Sequence, residues 1–359
     1  MDRLRVMTRR KMLGAVAAAV PLLGTAPFLF GAERATGKRL GVCAYSYSLH
    51  WKAVREGQPN GHFKDTLTFL DYCHELGAGG VQVGVASKEQ DYAAKIRARA
   101  EGYQMYFEGQ VSLPKDTADL DRFESDVRLC KEAGAEIVRS AALSGRRYET
   151  FDSAEAFRQF AEKSWHSLTI AEPILKKQRI RLALENHKDW RVTELLDILK
   201  RLSSEWVGVC VDTGNNLALL EEPMEVVEAL APYAISSHLK DMAVQEYEEG
   251  FLLSEVALGE GFLDLKRIVA LLLHANPKLQ FNIEMITRDP LKIPCLTQKY
   301  FATMPALPGR ELAAMLAKVH RHSSKKALPR TTGLSSAEQL ALEDKQIREC
   351  FSYARHLDL

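Results

Sequence analysis

Several absences narrow the chain before any motif is read. Its 359 residues hold 48 Lys and Arg against 47 Asp and Glu, a net charge of +1, and no basic block stands out beyond the first residues. That argues against a surface built to coat nucleic acid. The first strand-like run, 40–44, is not followed by the glycine-rich loop that an open, doubly wound dinucleotide-binding sheet normally shows. No glycine loop suited to cradling a phosphate is present either. The six cysteines are scattered and include no Cys-x-x-Cys pair. Cys43 and Cys210 fall inside apolar runs, where a thiol behaves as a small buried hydrophobe, and no disulfide is assigned.

The N-terminus stands apart. Thr8, Arg9, Arg10 and Lys11 precede an apolar stretch that reaches about Phe30 and is broken by Gly14, Pro21, Gly24 and Pro27. Paired arginines ahead of such a stretch resemble a twin-arginine export signal, assigned here to residues 1–32. No small-x-small cleavage site is visible, since Phe30 sits awkwardly before Gly31 and Ala32. An uncleaved anchor is the alternative, because about 19 apolar residues are enough to span a bilayer. Either way the catalytic part is expected outside the cytoplasm, periplasmic or otherwise extracytoplasmic, and in contact with a membrane only through that segment. Without residues 1–32 the chain loses five Lys or Arg and one Asp, leaving a net charge of −3. An oxidising compartment permits disulfides, but twin-arginine export carries folded chains and is compatible with free buried thiols.

Beyond residue 38, apolar runs and helical patterns alternate. Strands are expected at 40–44, 80–85, 105–111, 136–141, 180–185, 207–212, 234–238 and 279–284. Helices are expected at 63–76, 118–133, 153–177 (kinked at Pro173), 192–202 and 265–275. Gly77 and Gly134 each follow a helical pattern and lead into an apolar run, as an αβ connection requires. Eight strands alternating with helices predict an α/β protein, a (β/α)8 TIM barrel over residues 38–305. Residues 306–359 read as a C-terminal helical extension, with a short helix near 311–319 and a final one near 336–356. Ser335 followed by Glu338 forms the capping box that opens the last helix. Its apolar stripe, Ile347, Phe351 and Ala354, is read as packing on its own domain, with a contact in a homo-oligomer as the alternative.

Four of the strand-like runs end on side chains able to bind a metal: Glu185, Asp212, His238 and Glu284. Singly, each has a dull explanation as a cap, a surface charge or a core histidine. Together, on four successive strand ends, they would crowd three carboxylates and an imidazole onto one rim, and a cation is needed to neutralise them. Strand C-termini form the catalytic face of a barrel. Asp212 follows Glu185 by 27 residues and His238 follows Asp212 by 26, about one βα unit each. Glu284 follows His238 by 46, so an insertion is expected, with the polar stretch 242–262 read as a long rim loop and lid. One divalent ion is expected, with Mn²⁺ favoured by the ligand types and Mg²⁺, Co²⁺ or Zn²⁺ as alternatives.

Around these residues the chain resembles the xylose-isomerase-like sugar isomerase and epimerase barrels, which are related to zinc-type apurinic endonucleases. The carriers are Leu184-Glu185-Asn186-His187, Val211-Asp212-Thr213-Gly214-Asn215, Ser237-His238-Leu239-Lys240-Asp241, Leu258-Gly259-Glu260-Gly261 and Ile283-Glu284-Met285. The resemblance implies that Glu185, Asp212, His238 and Glu284 bind the metal and that the two glutamates serve as acid and base. Two positions depart from it. Gln82 stands where relatives commonly carry a glutamate. Asn215 replaces the histidine of the endonuclease Asp-x-x-His pattern, so a three-zinc cluster lacks a ligand. An acidic, exported chain also fits DNA repair poorly.

Moving a proton beside a sugar carbonyl creates a negative enediolate oxygen, which a divalent cation stabilises while carboxylates on either side remove and return the proton. The expected activity is therefore metal-dependent isomerisation or epimerisation of a sugar or sugar derivative, unphosphorylated if the enzyme is exported. Two alternatives remain open: a lyase that eliminates a β-leaving group from an oxidised glycoside, and a barrel that binds sugar without turnover. His187, Lys240, Glu108, Arg139 and Glu260 are the candidate substrate contacts, each with a structural role as the alternative.

Overall fold

The strands expected from the sequence close into a ring in a computed structural model of the chain, which describes residues 39–58, 62–85, 91–357 and 359. The leader-like segment 1–32 lies outside the described residues. The ring contains β1 (Leu40–Cys43), β2 (Gly80–Val83), β3 (Tyr106–Gln110), β4 (Ile137–Ser140), β5 (Arg181–Glu185), β6 (Val207–Asp212), β7 (Ala234–Leu239) and, after an insertion formed by β8 (Asp241–Tyr247) and β9 (Gly250–Val256), β10 (Phe281–Ile283). All eight ring strands are parallel, in the order β1-β10-β7-β6-β5-β4-β3-β2. This is the (β/α)8 barrel with the expected C-terminal helices.

Alternation along each strand sorts the side chains into two layers. Val42, Val81, Val138, Leu182, Val209 and Phe281 face outward and belong to the apolar layer beneath the helices. The intervening residues face the axis and are polar to an unusual degree: Gln82, Glu108, Arg139, Glu185, Asp212, His238 and Asn282 are all buried. Near the strand N-termini the Tyr106 ring fills the axis, and a Cβ on Gly80 would lie 2.4 Å from that ring. Helix Thr66–Glu75 and helix Leu120–Glu132 are followed by Gly77 and Gly134 at φ +85° and +95°, the left-handed turn that releases each chain into its strand.

One part of the fold differs from the expectation. Residues 242–262 are mostly hairpin rather than open loop. β8 and β9 pair antiparallel, and β11 (Leu291–Ile293) adds a third strand. Met242, Val244, Phe251, Leu253 and Ile293 alternate along these strands, and with Met315 and Val319 of helix Gly309–His322 they bury a second apolar core. Period-two patterning was present there, but interspersed glutamates and glycines masked it. Helix Ala154–Gln178 spans Pro173 and matches the extent expected for it.

The last helix, Ser336–Ala354, opens on the expected Ser335–Glu338 capping box. Ile347, Cys350 and Ala354 join the barrel's own core. Glu343, fully buried, accepts hydrogen bonds from the backbone N–H of Leu49 at 2.9 Å and of His50 at 3.1 Å, and pairs with the His50 ring at 2.7 Å. It thereby caps helix Ser48–Arg55, whose first amides would otherwise lack partners. All six cysteines are buried and free.

Candidate metal centre

Each ligand candidate reaches the same rim because its strand ends there. β5 ends at Glu185 and β6 at Asp212, Asp212 lies in register with His238 on β7, and Glu284 follows β10 directly. One ligand atom from each of the four lies within 4.8 Å of the others. His238 Nδ1 is 3.4 Å from Glu284 Oε1, 3.5 Å from Glu185 Oε1 and 3.8 Å from Asp212 Oδ2. All four residues are at most 3% exposed.

The surrounding hydrogen bonds aim these atoms inward. Asp212 Oδ1 accepts from the backbone N–H of Gly214 (2.9 Å) and Asn215 (2.8 Å), which turns Oδ2 toward the cluster. Asn215 Nδ2 donates to Glu185 Oε1 at 2.8 Å, and Arg139 pairs with Oε2 of the same carboxylate. Beneath the cluster, Gln82 Nε2 donates to Glu108 Oε2 at 2.9 Å, so its Oε1 faces His238 Nε2 at 2.7 Å. With Nε2 donating to Gln82, Nδ1 is the ring nitrogen turned toward the carboxylates.

Two buried atoms, His238 Nδ1 and Asp212 Oδ2, have no hydrogen-bond partner among the described residues. Lys240 Nζ lies 3.1 Å from Asp212 Oδ2, but not in hydrogen-bonding geometry. Buried polar atoms left open in this way, converging with two further carboxylate oxygens, fit a divalent cation that accepts hard oxygen and imidazole ligands.

The charges tell the same story. Burial alone would raise the Glu185 pKa, yet Arg139 and His238 hold it well below the usual carboxylate range. Burial likewise opposes ionisation of Glu284, and His238 and Lys240 overcome it. Burial disfavours a charge on His238, but Cys210, Glu284 and Glu185 around it raise its pKa well above the ordinary value. Both glutamates are therefore ionised at the rim.

Of the five candidate substrate contacts, three border the centre. Arg139 and His187 line a cavity of about 580 Å³ that opens beside Glu284. Lys240 lies 2.6 Å from Glu284 Oε2. His187 is nearly buried with an unpartnered Nδ1, and burial pulls its pKa down to about 4, so the ring is neutral. Glu108 is placed elsewhere, on the strand side of His238, where its Oε2 accepts from Gln82, from Ser236 (2.7 Å) and from Asn282 (3.0 Å). Glu260 is solvent-facing and pairs with Lys326 at 3.2 Å, apart from the cluster.

Sequence reasoning passed over two cations on the same cavity, Lys188 and Arg288. Lys188 is 2% exposed and bonds Asn215 Oδ1. Arg288 grips the buried Glu255 through Nε at 3.1 Å and a second guanidinium nitrogen. The only sequence signal for Lys188 was its position in the polar run that leaves β5. Arg288 offered none.

Known proteins agree with this architecture. Residues 70–312 match the family described as the xylose isomerase-like TIM barrel. A curated relative, the 3-oxo-isoapionate decarboxylase of Pectobacterium atrosepticum, is 29% identical over 232 residues, 61% of this chain and 76% of that protein. Among solved structures, D-psicose 3-epimerase in the presence of D-fructose is similar in fold with a TM-score of 0.55 at 14% identity, covering 89% of this chain and 99% of the other. The IOLI protein with a bound zinc atom is similar with a TM-score of 0.52 at 14% identity, covering 78% and 99%.

Proposed function

The chain belongs to the xylose isomerase-like TIM barrel family, and from that premise we propose that it is a divalent-metal enzyme that isomerises or epimerises a sugar derivative through an enediolate. The observation that carries this reading is the convergence of Glu185, Asp212, His238 and Glu284 with two of their inward atoms unpartnered. A cation held by these four would stabilise the negative oxygen that develops as a proton leaves the carbon beside a carbonyl, and Mn²⁺ suits the ligand set best.

The chain's own residues supply the rest. Glu284 lines the cavity, so it meets the substrate, and the Lys240 ammonium keeps it ionised and ready to take a proton. Glu185 stands on β5, separated from Glu284's strand by β7 and β6, and so reaches the centre from a different part of the rim. Arg139 holds its outer oxygen, so a proton reaching Glu185 must displace part of that pairing. Arg139 and His187 border the space that a sugar's hydroxyls would fill. The paired arginines near the N-terminus support action outside the cytoplasm.

A second reading is favoured by the 29% identical decarboxylase and by the cations on the cavity. In a 3-oxo acid, the electrons of the breaking carbon–carbon bond pass toward the carbonyl, carbon dioxide departs, and an enolate remains, which is an enediolate where the neighbouring carbon carries a hydroxyl. One experiment separates the readings. Manganese-loaded protein is incubated in deuterated water with free and oxidised sugars and followed by NMR. Metal-dependent exchange of a substrate C–H supports isomerisation or epimerisation, and carbon dioxide release supports decarboxylation. A released aglycone would identify a lyase. Tight sugar binding with no turnover would overturn the enzymatic reading.

A further inference from the structure

Lys188 is the odd member of the cationic group around the cavity. Arg139 pairs with Glu185, Lys240 with Asp212 and Glu284, and Arg288 with Glu255. Lys188 has no carboxylate partner among the described residues. Its ammonium donates to Asn215 Oδ1, an oxygen it shares with Lys240 Nζ at 3.1 Å. A buried ammonium with one neutral acceptor is costly unless something else neutralises it.

Burial, then the nearby Lys240, pull the Lys188 pKa down to about 7, while Glu255 and Asp212 oppose them and Arg288 adds to them. The position is tied to the centre, because Asn215 joins Lys188 on one side of its amide to Glu185 on the other. Lys188 also lines the same cavity as Glu284.

We infer that Lys188 forms a subsite for a carboxylate on the substrate, so that the substrate class is a sugar acid rather than a neutral sugar. The inference rests on the function proposed above and narrows it, since both readings there accept an acid. A monoanion matches the single uncompensated ammonium. A phosphate dianion would carry one charge more than the single uncompensated ammonium can match, and the glycine loop that usually cradles phosphate is missing from the sequence. The carboxylate would seat on the ammonium, leaving the carbonyl end directed to Glu284 and the metal position.

The test is calorimetry at pH 7 on the manganese-loaded protein, with D-glucuronate, D-glucose and glucose 6-phosphate as probes. A charge-assisted hydrogen bond to a buried group should make glucuronate bind about tenfold or more tightly than glucose. In Lys188→Met that preference should collapse toward unity, while Mn²⁺ affinity stays within about threefold, because Lys188 hydrogen-bonds none of the four ligand residues and reaches Glu185 only through Asn215. Equal binding of acid and neutral sugar by the wild type overturns the inference, with no reliance on a variant that folds. So does a preference that survives in Lys188→Met, or tighter binding of the phosphate than of the acid. Neutral sugars that exchange their C–H protons as readily as acids would sink the inference and leave the proposed function standing. Acid binding through Lys188 without metal binding or exchange would do the reverse.

Discussion

On the strand side of His238, the neutral groups Gln82, Ser236 and Asn282 gather on one oxygen of Glu108, and together they fix one face of the imidazole. On the loop side, Arg139, Lys188, His187 and Arg288 border an open cavity of about 580 Å³. The lower set is joined by hydrogen bonds within the barrel that converge on Glu108 Oε2 and leave only its Oε1 open among the described residues. The upper set is charged, and at Lys188 and the His187 ring it leaves hydrogen-bonding capacity unused. The contrast separates residues that hold a ligand atom in place from residues positioned to meet something that enters. It also explains why charge is concentrated above: a charge that must be matched by a substrate belongs where the substrate has access.

The four residues between the two regions should give the largest effect. Asp212→Asn keeps the shape of the side chain but removes a negative charge and one inward oxygen. It should lose more metal affinity than the roughly 10–100-fold that changes behind a ligand cost, and turnover should fall to background. Titration calorimetry with Mn²⁺ measures this. Retention of near wild-type affinity would remove Asp212 from the ligand set and break the comparison at its centre.

The upper region contributes stability as well as binding. Burial pushes the Glu255 pKa up, but Arg288 and then Lys240 bring it down to about 2. Because the folded-state value is depressed, the stabilisation is fully present above the ordinary carboxylate range and is lost as pH falls from there through about 2. Arg288→Met should cost roughly 2–3 kcal/mol at neutral pH, less than for a wholly buried pair because Lys240 remains 3.8 Å away and Arg288 is partly exposed. Denaturant unfolding at pH 7 and pH 3 should show the variant's deficit shrinking at the lower pH. A deficit that does not change with pH would mean that Arg288 acts by packing alone.

Much of this was legible in the sequence, and the remainder was hidden for physical reasons. Glu185, Asp212, His238 and Glu284 stood out because an ionisable residue ending an apolar run is conspicuous, and parallel strands must bring such ends together. Glu343 was invisible as a cap because it caps a helix almost 300 residues earlier in the chain, which no local pattern encodes. The β8–β9 hairpin was hidden because Glu246, Glu248 and Glu249 at its tip made it read as loop. Lys188 was passed over because composition does not reveal whether a lysine is solvated. Among the described lysines, burial without a carboxylate partner is what sets it apart.

Below the centre, the effects should be smaller and should act through the histidine. Gln82→Leu removes the acceptor that keeps the proton on His238 Nε2. Metal affinity should fall roughly 10–100-fold, the range for partners behind a metal-binding histidine, with little change in fold. Nitrogen NMR of the imidazole gives an independent readout, since the Nε2–H tautomer should cease to dominate. An unchanged tautomer would show that the carboxylates alone orient the ring.

Glu108→Gln should have the least effect, and its smallness is informative. Burial raises the Glu108 pKa, and the hydrogen bonds from Ser236, Gln82 and Asn282 only partly offset it. All three of those bonds end on Oε2, while Oε1 has no partner among the described residues. A glutamine amide oxygen in the place of Oε2 would keep the three contacts, with the NH₂ taking the open position. Metal affinity should then change by less than about threefold, well short of what losing an outer partner costs. Glu108→Leu, which removes the acceptor, should free Gln82 to turn and should approach the Gln82→Leu loss. If the glutamine variant also loses tenfold, Glu108 is ionised and contributes charge to the centre, and the division between a neutral floor and a charged upper wall no longer holds.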